Sequence, residues 1–521
     1  MTNSRLARRS WPAFVFAVFL TACGGSTSTP AVDATQVQQR LDQFVTAITT
    51  PSTTGSDVVV KADGPAKVET QSDGTVVGTL PRLTVTGDDG NTAVLDPIQV
   101  KFTNGGEGRV NFEAVLPSSM SVKKKDGTVE GEVKIGSQTF KGVWVEKLQT
   151  LDDVDMQLSN VTITSPNEKG SGKIDSIAFT GKLEDKGSGL YDGKYDFKMS
   201  GFNVDDPTEK TVMKIGTLGA GGTMKGARME AWAAAAKEAG YTLANPDLFK
   251  VWTGGPIDPK VIAFMKRMPE FMGTIDYAYN IDDIDMTQDG KKMFALKTTT
   301  VGFGAGPDGQ GNTKLKMTFG MGGMSGSADE PMLPPEADVQ LATLEVEASG
   351  VPGQALWDVY IDSLPRLQAA AAKAAGETAT GSTDATTAGS AAVEEVTAEM
   401  SSKAMQVLMA SKLAIALNKL DVATPTAKMT GKGAATYLPT DGSMPEGQLS
   451  LRFSGIDALA KAMEKRGPQD EMAQQIMGVV SGVRAMGKPD PASPKDDRAY
   501  IIDIVLTKDG KVLANGQNMM E

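Results

Sequence analysis

Few residues in this chain could do chemistry. It has one thiol, Cys23, and no histidine among 521 residues, which excludes a Ser-His-Asp or Cys-His relay and the imidazole sites of zinc, haem and non-haem iron. GAGPDG at 304–309 has G-x-G-x-x-G spacing, whose glycines elsewhere let a backbone approach a pyrophosphate at a helix N-terminus. Here Pro307 and Asp308-Gly309 mark a turn and the following GNTKLKMTF alternates as a strand, so the context is wrong for a dinucleotide. GTLGAGGTMKG at 216–226 precedes a helical pattern but lacks the G-K-[ST] ending of a P-loop, and it reads as a strand-to-helix loop. Ser121 and Lys124 satisfy S-x-x-K, the spacing of Ser-Lys acyl transfer. Lys124 stands between Lys123 and Lys125 before an Asp126-Gly127 turn, and no K-T-G accompanies it, so turn electrostatics accounts for the cluster. Asp276, Asp282, Asp283, Asp285 and Asp289 offer the oxygen ligands that calcium takes. Their spacing is not that of an EF-hand, and Asp283 and Asp285 alternate with Ile284 and Met286 as the solvent side of a strand does.

Cys23 has a context of its own. Arg5, Arg8 and Arg9 precede an apolar run from Trp11 to Leu20, which ends in Leu20-Thr21-Ala22-Cys23. The run is too short for a mature membrane span and has the layout of an export signal. The last four residues resemble the lipobox of bacterial lipoproteins, a likeness that implies cleavage after Ala22 and a diacylglycerol on the Cys23 sulfur. Acyl chains contribute about 0.8 kcal/mol per buried methylene, so two or three hold a soluble body on a bilayer. Gly24 and Gly25 follow, with no Asp beside the cysteine, which the same resemblance reads as an address at the outer rather than the inner membrane, on the periplasmic side. Without residues 1–22 the chain carries 49 basic against 64 acidic residues, a net of −15, which argues against nucleic acid as a partner.

Methionine is over-represented: 23 of the 27 lie after residue 200, among them the FGMGGM run at 319–324. Thioethers are soft ligands for copper(I). Copper sites usually add His or Cys, so no cofactor is expected. Met is also the side chain that adapts to irregular cores and variable apolar ligands, and Met317, Phe319, Met321 and Met324 are the candidate apolar-ligand region.

The elements that must position these residues follow from hydrophobic period. Residues 1–22 read as the signal peptide and 23–33 as an acylated cysteine with a flexible tether. In 34–213, a helix capped by Asp33, with Gln36 at the capping-box position and a stripe of Val37, Leu41, Phe44, Val45 and Ile48, precedes antiparallel strands of period two. Asp-Gly pairs at Asp63, Asp73, Asp89, Asp126 and Asp192 read as hairpin turns. Residues 214–272 read as helical, including Pro246 to Val251. Residues 273–375 form a second β region with a closing helix, 376–392 a low-complexity loop, and 393–521 an α+β region opening with a helix from about Val393 to Leu417. The expected fold class is α+β: a long, twisted, mostly antiparallel sheet with helices packed on one face.

The last quarter carries a resemblance. GQLSLRFSGIDALAKAM at 447–463, a second helix, AYIIDIVL at 499–506 and the hairpin DGKVLANGQ at 509–517 resemble the YdgA-like and AsmA-like envelope proteins. Those relatives usually keep an uncleaved membrane helix where this chain has a lipobox. The resemblance implies a long antiparallel sheet and transfers no active site. The functional expectation is a noncatalytic, lipid-anchored envelope protein that binds an apolar ligand, such as lipid, or an envelope partner. A scaffolding lipoprotein without a small ligand stands as the alternative. A carboxylate-based hydrolase is a third, since Asp and Glu pairs perform acid-base work without His, although no particular pair can be nominated.

Overall fold

A computed structural model describes residues 32–49, 59–87, 90–165, 170–240, 257–326, 334–378, 383–437, 444–467, 469–494 and 498–519. Cys23, the Leu20-Thr21-Ala22 motif, the tether up to Ala31, the Asp89 turn and the expected helix at Pro246 to Val251 lie outside them.

Helix α1 (Ala34–Thr49) starts where expected: Asp33 Oδ1 accepts the backbone N–H groups of Thr35 at 2.8 Å and Gln36 at 3.3 Å. Eight short strands follow: β1 (Val59–Ala62), β2 (Lys67–Thr70), β3 (Val76–Leu80), β4 (Leu83–Thr86), β5 (Thr92–Leu95), β6 (Ile98–Asn104), β7 (Arg109–Val115) and β8 (Ser119–Lys123). They make two ribbons, β2–β3–β6–β7 and β1–β4–β5–β8, which meet side by side on one edge of the long strand β9 (Val129–Val145). The helix stripe fills the space between them. Val37 and Leu41 are buried against Val76, Leu80, Ile98, Val100, Phe102 and Phe112, and the approach is so close that a Cβ on Gly78 would stand 2.5 Å from Leu41 Cδ1.

From the other edge of β9 the sheet runs as a meander of β10 (Thr150–Thr164), β11 (Ser171–Gly187), β12 (Leu190–Asp206), β13 (Thr211–Ala227), β14 (Thr274–Gln288), β15 (Lys291–Pro307), β16 (Thr313–Gly326), β17 (Leu341–Val351), β18 (Leu413–Ala423), β19 (Lys428–Tyr437) and β20 (Glu446–Ser454). Each strand pairs antiparallel with the next. β21 (Lys488–Pro489), β22 (Tyr500–Leu506), β23 (Val512–Ala514) and β24 (Gln517–Asn518) close the series, with β22 on β20. The fold is α+β, built on one long antiparallel sheet. Helix α1 packs on the sheet's inner face, while the later helices gather at the ends of the strands. α2 (Met229–Glu238), α3 (Pro259–Lys266) and α4 (Met268–Phe271) follow β13, and the pair α5 (Gly353–Thr378) and α6 (Thr383–Met409) joins β17 to β18 at the same rim, where Trp357 Nε1 donates to the Met265 carbonyl at 2.6 Å. α7 (Ile456–Arg466) and α8 (Glu471–Met486) follow β20 at the opposite rim. No described helix is long and apolar enough to cross a membrane.

Four local expectations are corrected. The helical pattern begins at Met229, and GTLGAGGTMKG lies within β13. Its glycines make room for side chains of β14, since a Cβ on Gly222 would meet the Tyr277 ring at 2.6 Å and one on Gly219 would meet Asn280 Oδ1. Asp192-Gly193 lies inside β12, and the turn is Ser188-Gly189, whose φ angles of 57° and 75° suit a tight hairpin. The stretch 376–392 has helical backbone up to Thr378 and again from Thr383, as its alanine content favours. The helix opening the C-terminal region ends at Met409, and Leu413–Ala423 is a strand because Leu413, Ile415 and Leu417 repeat at two and pair with Tyr437, Ala435 and Gly433.

Candidate functional site: an open apolar sheet face

Strand alternation puts apolar side chains of successive strands in register on one face. Tyr277, Phe303, Met317, Val346 and Leu417 form one cross-strand row, and Tyr279, Val301, Phe319, Leu344 and Leu420 the next. A third row runs Ile281, Thr299, Met321, Ala342 and Val422. The face continues across the sheet to Met199 and Ile177, which pack against the core under α1.

The strands are too long for simple alternation to keep this face apolar from end to end. A line of irregular positions corrects it, through Gly136, Asn160, Asp175, Gly201, Gly216, Asp283, Lys297 and Gly323, one residue from each of β9–β16 between regularly paired neighbours. Every second one has positive φ: Asn160 at 52°, Gly201 at 65°, Asp283 at 54° and Gly323 at 63°. Their partners come close, so that a Cβ on Gly216 would stand 2.9 Å from that of Asp283, and one on Gly323 2.6 Å from that of Lys297. One residue out of alternation reverses the facing of every side chain beyond it. Because all eight strands break alternation along the same line, with the pairing on either side in the same register, Ile284, Leu296 and Met324 beyond the crease share the face of Ile281, Thr299 and Met321 before it.

The four residues expected to form an apolar region, Met317, Phe319, Met321 and Met324, therefore stand together, the last through the bend at Gly323. The sequence reading missed their companions. Tyr279 is 55% exposed, Phe303 52%, Val301 44%, Ile415 51% and Met317 50%. Among the described residues of β14–β20, the buried apolar side chains are Leu296 and Val351. Contiguous exposed apolar patches on a protein surface mark ligand-binding or protein-interaction sites. At its centre the Tyr277 and Tyr279 rings meet edge-on with centroids 4.7 Å apart. Burial pushes the Tyr277 phenol above its ordinary value, helped by its hydrogen bond with Tyr279, so both the ring and its neutral hydroxyl belong to the apolar surface at neutral pH.

The opposite face is polar. A hollow of about 330 Å³ there is floored by Gly221, Gly302 and Gly304 and edged by Lys194, Asp196, Asp276 and Lys316. Thr298 Oγ1 and Asn280 Nδ2 donate to Asp282 at 2.6 and 2.8 Å, which ties its carboxylate to the sheet. Among the described residues, no three Asp or Glu side chains are grouped to hold a metal ion. Ser121 lies on β8 and Lys124 in the turn after it, bonded through its backbone N–H to the Thr128 carbonyl at 2.8 Å. GAGPDG straddles the end of β15 and the turn to β16, as its context implied.

The match with known proteins falls on the open part of this face. Residues 279–513 resemble the DUF2125 family. It is described as an uncharacterized protein conserved in bacteria, and the likeness runs from Tyr279 in β14 to Leu513 in β23, outside the α1 module. No curated protein and no solved structure matches the chain. The DUF2125 likeness thus supports a bacterial family for the C-terminal body, and it names neither the YdgA-like nor the AsmA-like group.

Proposed function

We propose that this protein binds apolar ligands, foremost the acyl chains of lipids, along the open face of its sheet, without catalysing a reaction on them. The observation that carries this reading is the alignment of apolar side chains in cross-strand rows over β14–β18, with Tyr279 and Phe303 about half in solvent. Such a face is costly in water and offers few polar groups to fix the register of a partner, which suits a fluid hydrocarbon chain. The methionines in it adapt to chains of differing shape. In this reading the acylated Cys23 holds the body to the periplasmic side of the envelope, at the outer membrane, and the DUF2125 likeness extends the role to the bacterial relatives of the C-terminal body.

The test is mass spectrometry of organic extracts from protein beginning at Gly24, produced in a bacterial periplasm and purified without detergent. Lipid in roughly stoichiometric amount is expected. A folded protein that carries none, and takes up none from mixed phospholipid micelles, would overturn the reading in favour of a scaffold.

A further inference from the structure

The apolar face contains one side chain that is both strongly exposed and chemically soft. Met317 sits mid-strand in β16, 50% exposed, between Phe303 on β15 and Val346 on β17. Met405 and Met444, at 57% exposure, lie outside this face, whereas Met463 at 1% and Met156 at 7% are hidden. The body after Cys23 has neither cysteine nor histidine, so the thioethers are its softest nucleophiles. Sulfur oxidation changes a flexible apolar side chain into a polar one, and at Met317 the change falls in the row of Tyr277, Phe303 and Val346.

We propose that Met317 is a site of reversible oxidation by peroxide, and that its sulfoxide closes the face to apolar ligands. A lone pair of the thioether sulfur attacks one peroxide oxygen, the S–O bond forms as the O–O bond breaks, and the departing hydroxide takes up the remaining proton as water. Sulfur loses two electrons and the peroxide oxygens gain them. The product oxygen stands between Phe303 and Val346, neither of which can donate a hydrogen bond to it once a hydrocarbon chain covers the row, so ligand and sulfoxide exclude each other. Reduction by a thiol-dependent sulfoxide reductase restores the thioether. The effect on ligand rests on the binding role proposed above, whereas the oxidation itself does not.

The experiment treats the full chain with graded hydrogen peroxide, maps oxygen addition by peptide mass spectrometry, and titrates the same samples with the apolar fluorophore N-phenylnaphthylamine. Met317 should gain one oxygen at doses that spare Met463 and Met156, and the fluorophore should bind about tenfold more weakly, the loss expected for one unsatisfied polar group under an apolar ligand. Met317→Leu, which removes the sulfur, should keep through the treatment whatever affinity it has before it, and Met317→Gln should bind more weakly than Met317→Leu without treatment. Oxidation of Met317 no faster than of Met463, or equal loss of binding in Met317→Leu, would overturn the proposal. An untreated protein that binds no fluorophore while Met317 still oxidises first would fail the binding role instead.

Discussion

The crease makes a demand on backbone conformation that can be measured at Asp283. This residue has φ at 54°, a region that costs an L-residue with a Cβ roughly 1–2 kcal/mol, while Asp285, two positions on, is in regular register with Lys214 and Ala295. Glycine at 283 removes that cost, and gives back up to about 1 kcal/mol through the extra freedom of the unfolded chain. Asp283→Gly should therefore leave stability unchanged or raise it by up to about 1 kcal/mol. Asp285→Gly gains nothing and should cost about 0.5–1 kcal/mol, as glycine in a strand does. Asp283→Val, β-branched at positive φ, should cost at least about 2 kcal/mol. Urea unfolding followed by tryptophan fluorescence and circular dichroism gives all three against the parent. If Asp283→Gly is as destabilising as Asp285→Gly, the crease requires no special backbone, and it is not what holds Ile284 and Met286 on the apolar face.

The remaining expectations follow the same geometry. Phe303→Asp should abolish N-phenylnaphthylamine binding with a modest loss of stability because half the ring is already in water, whereas Phe102→Ala, under α1, should cost about 3–5 kcal/mol in urea unfolding; retained binding in Phe303→Asp would count against the face. Cys23→Ser should move the protein from the membrane fraction to the soluble fraction, and unchanged sedimentation with membranes would rule out that anchor. At the start of α2, Lys147 Nζ lies 3.3 Å from Asp185 and 3.0 Å from Glu230, both of which accept from the Tyr191 hydroxyl. Contact with Tyr191, then with Glu230, holds the ammonium above its ordinary 10.5, and burial raises the Tyr191 phenol above 10.0. A raised lysine stabilises fully below 10.5 and less as pH climbs through its folded value, and a raised tyrosine lets the unfolded chain ionise first, so both contributions fall in the same direction. Stability should drop as pH rises past about 10, less steeply in Tyr191→Phe; an identical slope in the two proteins would dismiss the Tyr191 contribution.

Much of this fold is legible in the residues, and the failures have a common cause. The Asp33 cap and the Val37-Leu41-Phe44 stripe state their helix locally, and the alternation of Ile275, Tyr277, Tyr279 and Ile281 states its strand. The misread stretches are those in which packing between strands overrides local composition. GTLGAGGTMKG looks like a loop by glycine content and is a strand because Tyr277 and Asn280 need the space. The crease had a signal that was not read: in several strands the apolar period of two is broken once by a step of three, as from Ile281 to Ile284, Met321 to Met324 and Met199 to Phe202. The step is visible in each strand alone. That all the steps fall on one line, and so produce one face, depends on the register between strands.

The order of the meander has a consequence for how the chain is built. Because each strand from β9 to β20 pairs with its predecessor in sequence, most contacts close short loops, and the helical excursions between β13 and β14 and between β17 and β18 delay the next pairing most. Short closures cost little chain entropy. A chain that appears from its N-terminus can complete the α1 module first and then extend it by one hairpin at a time, each addition templated on an edge already in place. Growth of this kind resembles elongation of a one-dimensional array more than collapse of a globule. The open apolar face would lengthen with every strand added, so under the binding role proposed above chain length itself would set how much ligand is covered.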